Sequence, residues 1–199
     1  MTNLRTLILA SSSPRRAALL RDAGIDFRQC TPPFDDSLVQ LGDASPVRSA
    51  EALAYLKAAS VADALDAGIV IGCDTMLAIG NRRIGKPRDR DDAARMLDEL
   101  FDHTHQAISA VALVDAHHQH RTLFHDIAEV RIARPTDAAL AEYLQSDQWA
   151  GKAGGYNLAE LQHRWRFTVT GDPTTVIGLP MRKLLPAIEA FARPTGTVQ

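Results

Sequence analysis

Six side chains of this 199-residue chain are of types that meet anions, hold metals or move protons: Arg15, Arg16, Lys57 and Lys86 as cations, Asp36 and Asp74 as carboxylates. Arg15 and Arg16 follow Leu7-Ile8-Leu9-Ala10-Ser11-Ser12-Ser13-Pro14. The apolar quartet reads as a short buried strand, and the serines and proline stop it and open a helix. Ser12 or Ser13 can cap that helix, Pro14 suits its first turn, and Gly24 supplies a stop after about Ala23. Both arginines then sit at the positive end of the helix dipole, where each misplaced charge costs roughly 0.3–1 kcal/mol. An anion docked on the free N–H groups reverses that penalty. The stretch is therefore either a strand–turn–helix cradle for phosphate, with Ser13, Arg15 and Arg16 at its mouth, or an ordinary helix start with two solvated arginines.

The other candidates carry similar pairs of readings. Asp35-Asp36 lies in a loop after Thr31-Pro32-Pro33. Adjacent loop carboxylates are usually turn formers, but they are also the oxygen donors that magnesium takes. Lys57 falls on the apolar stripe of a helix from Ser45 to about Leu65, four residues from both Leu53 and Val61. It either snorkels from the core edge or faces a cleft. Asp74-Thr75 follows the buried run Ile69-Val-Ile-Gly-Cys73, and the expectation is that it ends that strand. A carboxylate there is held rigidly at a cleft edge. Met76-Leu-Ala-Ile79 resumes an apolar run, so Asp74 has no helix to cap. Lys86 lies between Gly85 and Pro87, a fixed cation or a solvated turn lysine.

The elements that must position these groups alternate. A second strand is expected over Ile25–Thr31, a return strand at Arg82-Arg83-Ile84 and a helix from Asp91 to about Leu100. Two long strands, His105–Val114 and Thr122–Ala133, flank a polar turn with His117, His118 and His120. Those histidines lack the spacing of a zinc site and read as an exposed hairpin tip. Thr136-Asp137 caps a helix to about Ser146. The glycines of Trp149-Ala-Gly-Lys-Ala-Gly-Gly-Tyr156 suggest backbone packed closely on a strand or ligand. Phe167–Thr170 is a strand, and Pro180 opens the last helix, with Arg182 and Lys183 in its first turn. The fold class is α/β with a mixed sheet.

Hydrophobic residues make up 46% of the chain and the formal net charge is −2, so an ordinary globular protein is expected and any basic site must be local. No nucleic-acid polymer and no membrane is implied, and the first strand leaves no room for a signal peptide. Cys30 and Cys73, isolated from each other, suit a reducing, cytoplasmic compartment. Residues 1–199 read as one domain, with the tail from about Arg193 frayed.

Several of these stretches resemble the Maf family of nucleoside triphosphate pyrophosphatases, once described as septum-formation inhibitors. The resemblance runs in order through Ala10-Ser-Ser-Ser-Pro-Arg-Arg16 with Leu19-Leu20 and Gly24, Leu53-Ala-Tyr-Leu-Lys-Ala58, Cys73-Asp74-Thr75, Gly85-Lys86-Pro87, Lys152-Ala-Gly-Gly-Tyr156 and Gly171–Pro180. It departs at three positions. Asp36 stands where the family has Glu, one methylene shorter, Ser109 stands for Thr, and Ala159 stands for a Gln linked to nucleobase choice.

The resemblance implies a twisted mixed sheet flanked by helices, in two lobes around a cleft, of the Maf or ITPase-like kind. It implies hydrolysis of a nucleoside triphosphate to the monophosphate and diphosphate, on modified, non-standard or dTTP/UTP-like nucleotides. Asp74 is then the proton acceptor, with Lys86 beside it in catalysis. Ser13, Arg15, Arg16, Lys57 and Thr75 bind substrate, and Asp36 and Asp74 hold Mg²⁺ or Mn²⁺. A homodimer is suggested too. The alternative is a nucleotide-binding regulator of cell division without catalysis, for which a carboxylate among cations has no use except through a metal.

Overall fold

The computed structural model describes residues 6–34, 36–117 and 120–192. Asp35, His118 and the tail from 193 lie outside the described residues, and so do the readings placed on them. The elements are β1 (Leu7–Ala10), α1 (Pro14–Asp22), β2 (Arg28–Cys30), α2 (Pro46–Ala62), β3 (Ile69–Ile79), β4 (Arg82–Ile84), α3 (Arg90–Leu100), β5 (Thr104–Asp115), β6 (Arg121–Ile132), α4 (Asp137–Gln145), α5 (Leu158–Leu161), β7 (Phe167–Thr170), α6 (Pro173–Ile177) and α7 (Met181–Ala192). Two 3-10 turns, Asp36–Leu38 and Ala153–Gly155, complete them.

One mixed sheet runs in the order β2-β1-β3-β5-β6-β7, with β4 paired to β3. β1 is parallel to β2 and β3, and the remaining pairs are antiparallel. Its two faces carry separate cores, as the two-residue period of a strand requires. Ile8, Val70, Ala110 and Ala112 pack with α2, whereas Leu9, Ile71, Val111 and Leu113 pack with α1 and α7. A third cluster joins Leu77, Ala107 and Val130 to Leu97, Tyr143, Tyr156 and Trp165.

The strand carrying Asp74 does not stop there. β3 continues to Ile79, and Asp74 lies mid-strand, opposite Ala110 of β5. What ends is its neighbour. β1 pairs with β3 only as far as Ala10↔Gly72, and β4 takes up the same edge from Leu77↔Ile84. The gap between them leaves residues 73–76 without a strand partner on that edge, so a break in a partner strand makes the cleft edge. β2 is also shorter than Ile25–Thr31, and the short helices α5 and α6 lack the repeats that make a helix readable.

Close packing sets the depth of the site. Ala50, Ala54, Ala58 and Ala62 form a fully buried i, i+4 ladder on α2. It presses on Gly72, where an added Cβ would lie 2.2 Å from the Ala54 carbonyl oxygen. Small residues on both sides let the helix approach the sheet, and that approach carries Lys57 to Asp74. Among the described residues, no helix is long and apolar enough to cross a membrane.

Candidate active site

The gap on β3 opens into a cleft of about 730 Å³. Its walls are the Ala10–Arg16 turn, the Asp36 turn, Leu53 and Lys57 in the middle of α2, the Ile84–Lys86 loop and the segments Gly151–Ala153 and Tyr156–Leu158. Among the described residues, six cations (Arg15, Arg16, Lys57, Arg83, Lys86 and Lys152) line it against two carboxylates, Asp36 and Asp74. In a chain of net charge −2, that concentrates positive charge where a polyanion could be neutralised.

Asp74 and Thr75 are neighbours on β3 but face opposite sides of the sheet. Asp74 turns toward α2, where Lys57 donates hydrogen bonds to Asp74 Oδ1 at 2.7 Å and to Asp36 Oδ2 at 2.9 Å. Burial alone would push the Lys57 ammonium down, but the two carboxylates outweigh it and hold its pKa above the usual value. Burial would push the Asp36 carboxyl up, yet the bond and charge of Lys57, with Lys86 beyond, hold it below the usual range. Two carboxylates thus converge on one cation, and the shorter Asp36 reaches far enough to do so.

Thr75 turns the other way, toward Arg16. That guanidinium donates from Nε to the Gly178 carbonyl at 2.9 Å, from NH1 to Ser11 Oγ at 3.1 Å and from NH2 to Thr75 Oγ1 at 3.1 Å. Gly178 has φ of 121°, and a Cβ there would meet Arg16 Nε at 3.2 Å and Thr75 Oγ1 at 3.3 Å. Arg15 differs from its neighbour. Burial and the charge of Arg16 both push its guanidinium down, with Glu160 opposing. This is a partly desolvated cation to which an anion would bring relief.

Ser13 is the N-cap of α1 with Pro14 at the first position, but its hydroxyl makes no capping bond; its N–H donates to Ser11 Oγ instead. Lys86 is exposed on the cleft rim. Gly85 meets open space where a Cβ would go, so no protein atom requires a glycine there. Its carbonyl accepts from Gly154 N at 2.9 Å. A Cβ on Gly154 would lie 2.7 Å from Leu77, which is the close backbone packing expected of that glycine-rich stretch. Lys183 binds Asp126 and the His125 carbonyl, and the Arg182 N–H binds Asp172, so the first turn of α7 is occupied by protein partners.

Reading the sequence drew Asp36, Lys57, Asp74, Lys86, Arg15, Arg16, Ser13 and Thr75 to one place, and the structure brings all eight to this cleft. It missed Arg83 and Lys152, which also line the cleft, and Ser11 and Gly178, which hold Arg16. Only the positive φ of Gly178 had a signal, since a glycine before Leu-Pro hints at a special backbone.

A family model described as Maf-like protein matches residues 6–191. A dTTP/UTP pyrophosphatase from Desulforamulus reducens is 34% identical over 188 residues, 94% of this chain and 97% of that protein. Another from Cereibacter sphaeroides is 36% identical over 191 residues, 95% of this chain and 96% of its own. A solved nucleoside-triphosphatase / dITP/XTP pyrophosphatase from Mycobacterium abscessus covers 65% of this chain and 75% of its own, at TM-score 0.40 and 18% identity, and so loose a likeness carries no argument.

Proposed function

The chain belongs to the Maf-like protein family, and on that premise we propose that it is a nucleoside triphosphate pyrophosphatase acting on dTTP and UTP. The products are the nucleoside monophosphate and diphosphate. The observation that carries this reading is the convergence of Asp36 and Asp74 on one cation, beside a cleft wall rich in arginine and lysine. A purely phosphate-binding surface has no use for two buried or half-buried carboxylates in its midst except through a metal.

In this reading Arg15 and Lys86 bind the triphosphate, and Ser13 adds a free hydroxyl at the helix start. Water attacks the α-phosphorus and the bond to the bridging oxygen breaks, releasing diphosphate. Asp74 takes the proton of the attacking water on Oδ2, the oxygen that Lys57 does not engage. Lys57 keeps Asp74 and Asp36 aligned, and its ammonium is within reach of the phosphates.

Two carboxylates that already share a cation fit Mg²⁺ or Mn²⁺, which commonly take one or two protein carboxylates plus phosphate oxygens and water. Among the described residues no cluster of three or more acidic, histidine or cysteine side chains exists, so substrate oxygens must complete such a site. When bound, the ion neutralises phosphate charge and acidifies water. The two cysteines are free, one exposed and one buried, which supports a reducing, cytoplasmic setting.

The test is a product-resolved hydrolysis screen over dTTP, UTP, CTP, GTP and ATP with Mg²⁺ or Mn²⁺, wild type beside Asp74→Asn. Diphosphate release from dTTP and UTP that is lost in the variant is expected. Orthophosphate as the product, or full activity of Asp74→Asn, overturns the mechanism. Binding without any release makes the chain a regulatory nucleotide binder.

A further inference from the structure

Asp36 has a short side chain, and the loop that carries it is thinly packed. From the Asp36–Leu38 turn the chain runs on to Ser45, the cap of α2. Leu38, Gln40, Gly42, Asp43 and Ala44 are exposed, so little burial fixes the loop. Asp36 Oδ2 nevertheless stands 2.9 Å from Lys57 Nζ. The loop needs a hold from outside itself.

Arg83 lies on β4 opposite Ala78, a small and fully buried residue, and lines the cleft. Its guanidinium donates from NH2 to the Gly42 carbonyl and from NH1 to Ser49 Oγ, both at 2.9 Å. Ser49 is fully buried in the first turn of α2, and its own hydroxyl donates to the Ala44 carbonyl at 3.4 Å. One planar fork therefore joins β4, the loop after Asp36 and the start of α2. Three residues beyond Arg83 the same segment carries Lys86, whose charge helps hold the Asp36 carboxyl down.

We propose that Arg83 is a positioning residue that acts through Asp36: by clamping the loop to β4 and α2, it gives the short carboxylate its reach to Lys57. The effect on turnover rests on the pyrophosphatase reading; the clamp itself does not. With the clamp open, Asp36 draws away and Lys57 loses one of the two carboxylates that orient it beside Asp74. A carboxylate one methylene longer spans the relaxed gap without the clamp. That separates a clamp from a ligand contact, because an arginine bound directly to phosphate would be missed equally whatever the length of the side chain at position 36.

The experiment is a pair of double-mutant cycles. Arg83→Met removes both donors and keeps a long side chain. The exposed Gly42 carbonyl then turns to water and Ser49 keeps its bond to Ala44, so the fold should survive. The first cycle measures kcat/KM for dTTP with Arg83→Met and Asp36→Glu. Arg83→Met should lower it about tenfold in the wild-type background, the scale of a displaced active-site group. In the presence of Asp36→Glu the same change should cost no more than about twofold. The second cycle measures urea midpoints and needs no turnover. Asp36→Asn should lower the midpoint of wild type, and that of Arg83→Met by about half as much or less, because the contact with Lys57 is already lost. If Arg83→Met fails to fold, Ser49→Ala, which removes the NH1 acceptor and the tether to Ala44, goes through the same two cycles. A loss of kcat/KM that is equal with and without Asp36→Glu, or equal midpoint shifts from Asp36→Asn in both backgrounds, overturns the proposal. If no nucleotide releases diphosphate, the pyrophosphatase reading fails by itself and the urea cycle alone decides the clamp.

Discussion

Replacing Gly72 with alanine tests whether the depth of the site is set by helix-to-sheet contact. The new Cβ would lie 2.2 Å from the Ala54 carbonyl and 2.7 Å from both Ala58 N and Ala58 Cβ. These are backbone or short side-chain atoms, which no rotamer change can move aside. The contact with Ala54 must open by about 0.8 Å before it reaches the 3.0 Å below which Cβ contacts are essentially never found. If α2 retreats by that amount along the Lys57–Asp74 bond, 2.7 Å becomes about 3.5 Å, the limit of a hydrogen bond. Overpacking of this kind costs about 1–3 kcal/mol. At 2–4 °C per kcal/mol for a chain of this size, the melting temperature should fall by roughly 2–12 °C. Turnover should fall further than stability explains, by about tenfold to a hundredfold at saturating denaturant-free conditions, because a shift near 1 Å in a catalytic group costs on that order. Thermal melting followed by circular dichroism and diphosphate release at a temperature where both proteins are folded would measure the two effects separately. A Gly72→Ala protein that melts within 1 °C of wild type and turns over within about twofold would refute the reasoning.

Gly85→Ala is the companion case. Its Cβ would meet only open space, so stability should stay within about 0.5 kcal/mol in urea denaturation, while KM for nucleotide rises if substrate fills that space. Lys57→Met leaves Asp36 and Asp74 without their shared cation. It should lower stability by about 2–4 kcal/mol, less than a wholly buried pair because Asp36 is partly exposed, and millimolar Mg²⁺ or Mn²⁺ should restore part of the melting temperature. His105 is buried against the Tyr156 hydroxyl at 2.9 Å, and burial pushes its pKa from 6.5 down to about 4. The unfolded chain therefore binds the extra proton first. Stability is full above pH 6.5 and falls toward pH 4, by about 3 kcal/mol across the window. Asp36 and Asp126, both held below the usual carboxylate range, act lower, where stability present above pH 3.8 is lost. Urea titrations between pH 7 and 4.5 should show the decline, and His105→Gln should flatten it.

Much of this was legible in the residues. Strands and helices with clear periods came out within a residue or two, as in β5, β6, α3 and β7. The helical period also placed Lys57 on the stripe that reaches the cleft. What the sequence could not carry is partnership. Asp74 looked like a strand end because its polarity interrupts an apolar run, but the interruption belongs to the neighbouring edge, where β1 gives out and β4 has not begun. Arg16 and Lys183 looked alike, basic residues in a first helical turn. One lines the cleft and the other anchors Asp126, and only tertiary contacts with Gly178 and β6 separate them. Ser109 on β5 donates to a carbonyl 66 positions away, a contact no local pattern encodes.

Asp74 and Thr75 are joined by one peptide bond and separated by the full thickness of a sheet. Their surroundings share almost no atoms: α2 and the Asp36 turn on one side, α1, α6 and β5 on the other. Substitutions at Gly178 can therefore displace Arg16 and Thr75 while the Asp36–Lys57–Asp74 group stays as it is. A one-residue insertion in β3 upstream of them would do the opposite, exchanging the two faces at a stroke. Point substitutions should thus disturb one face at a time, whereas a change in the length of this strand disturbs both.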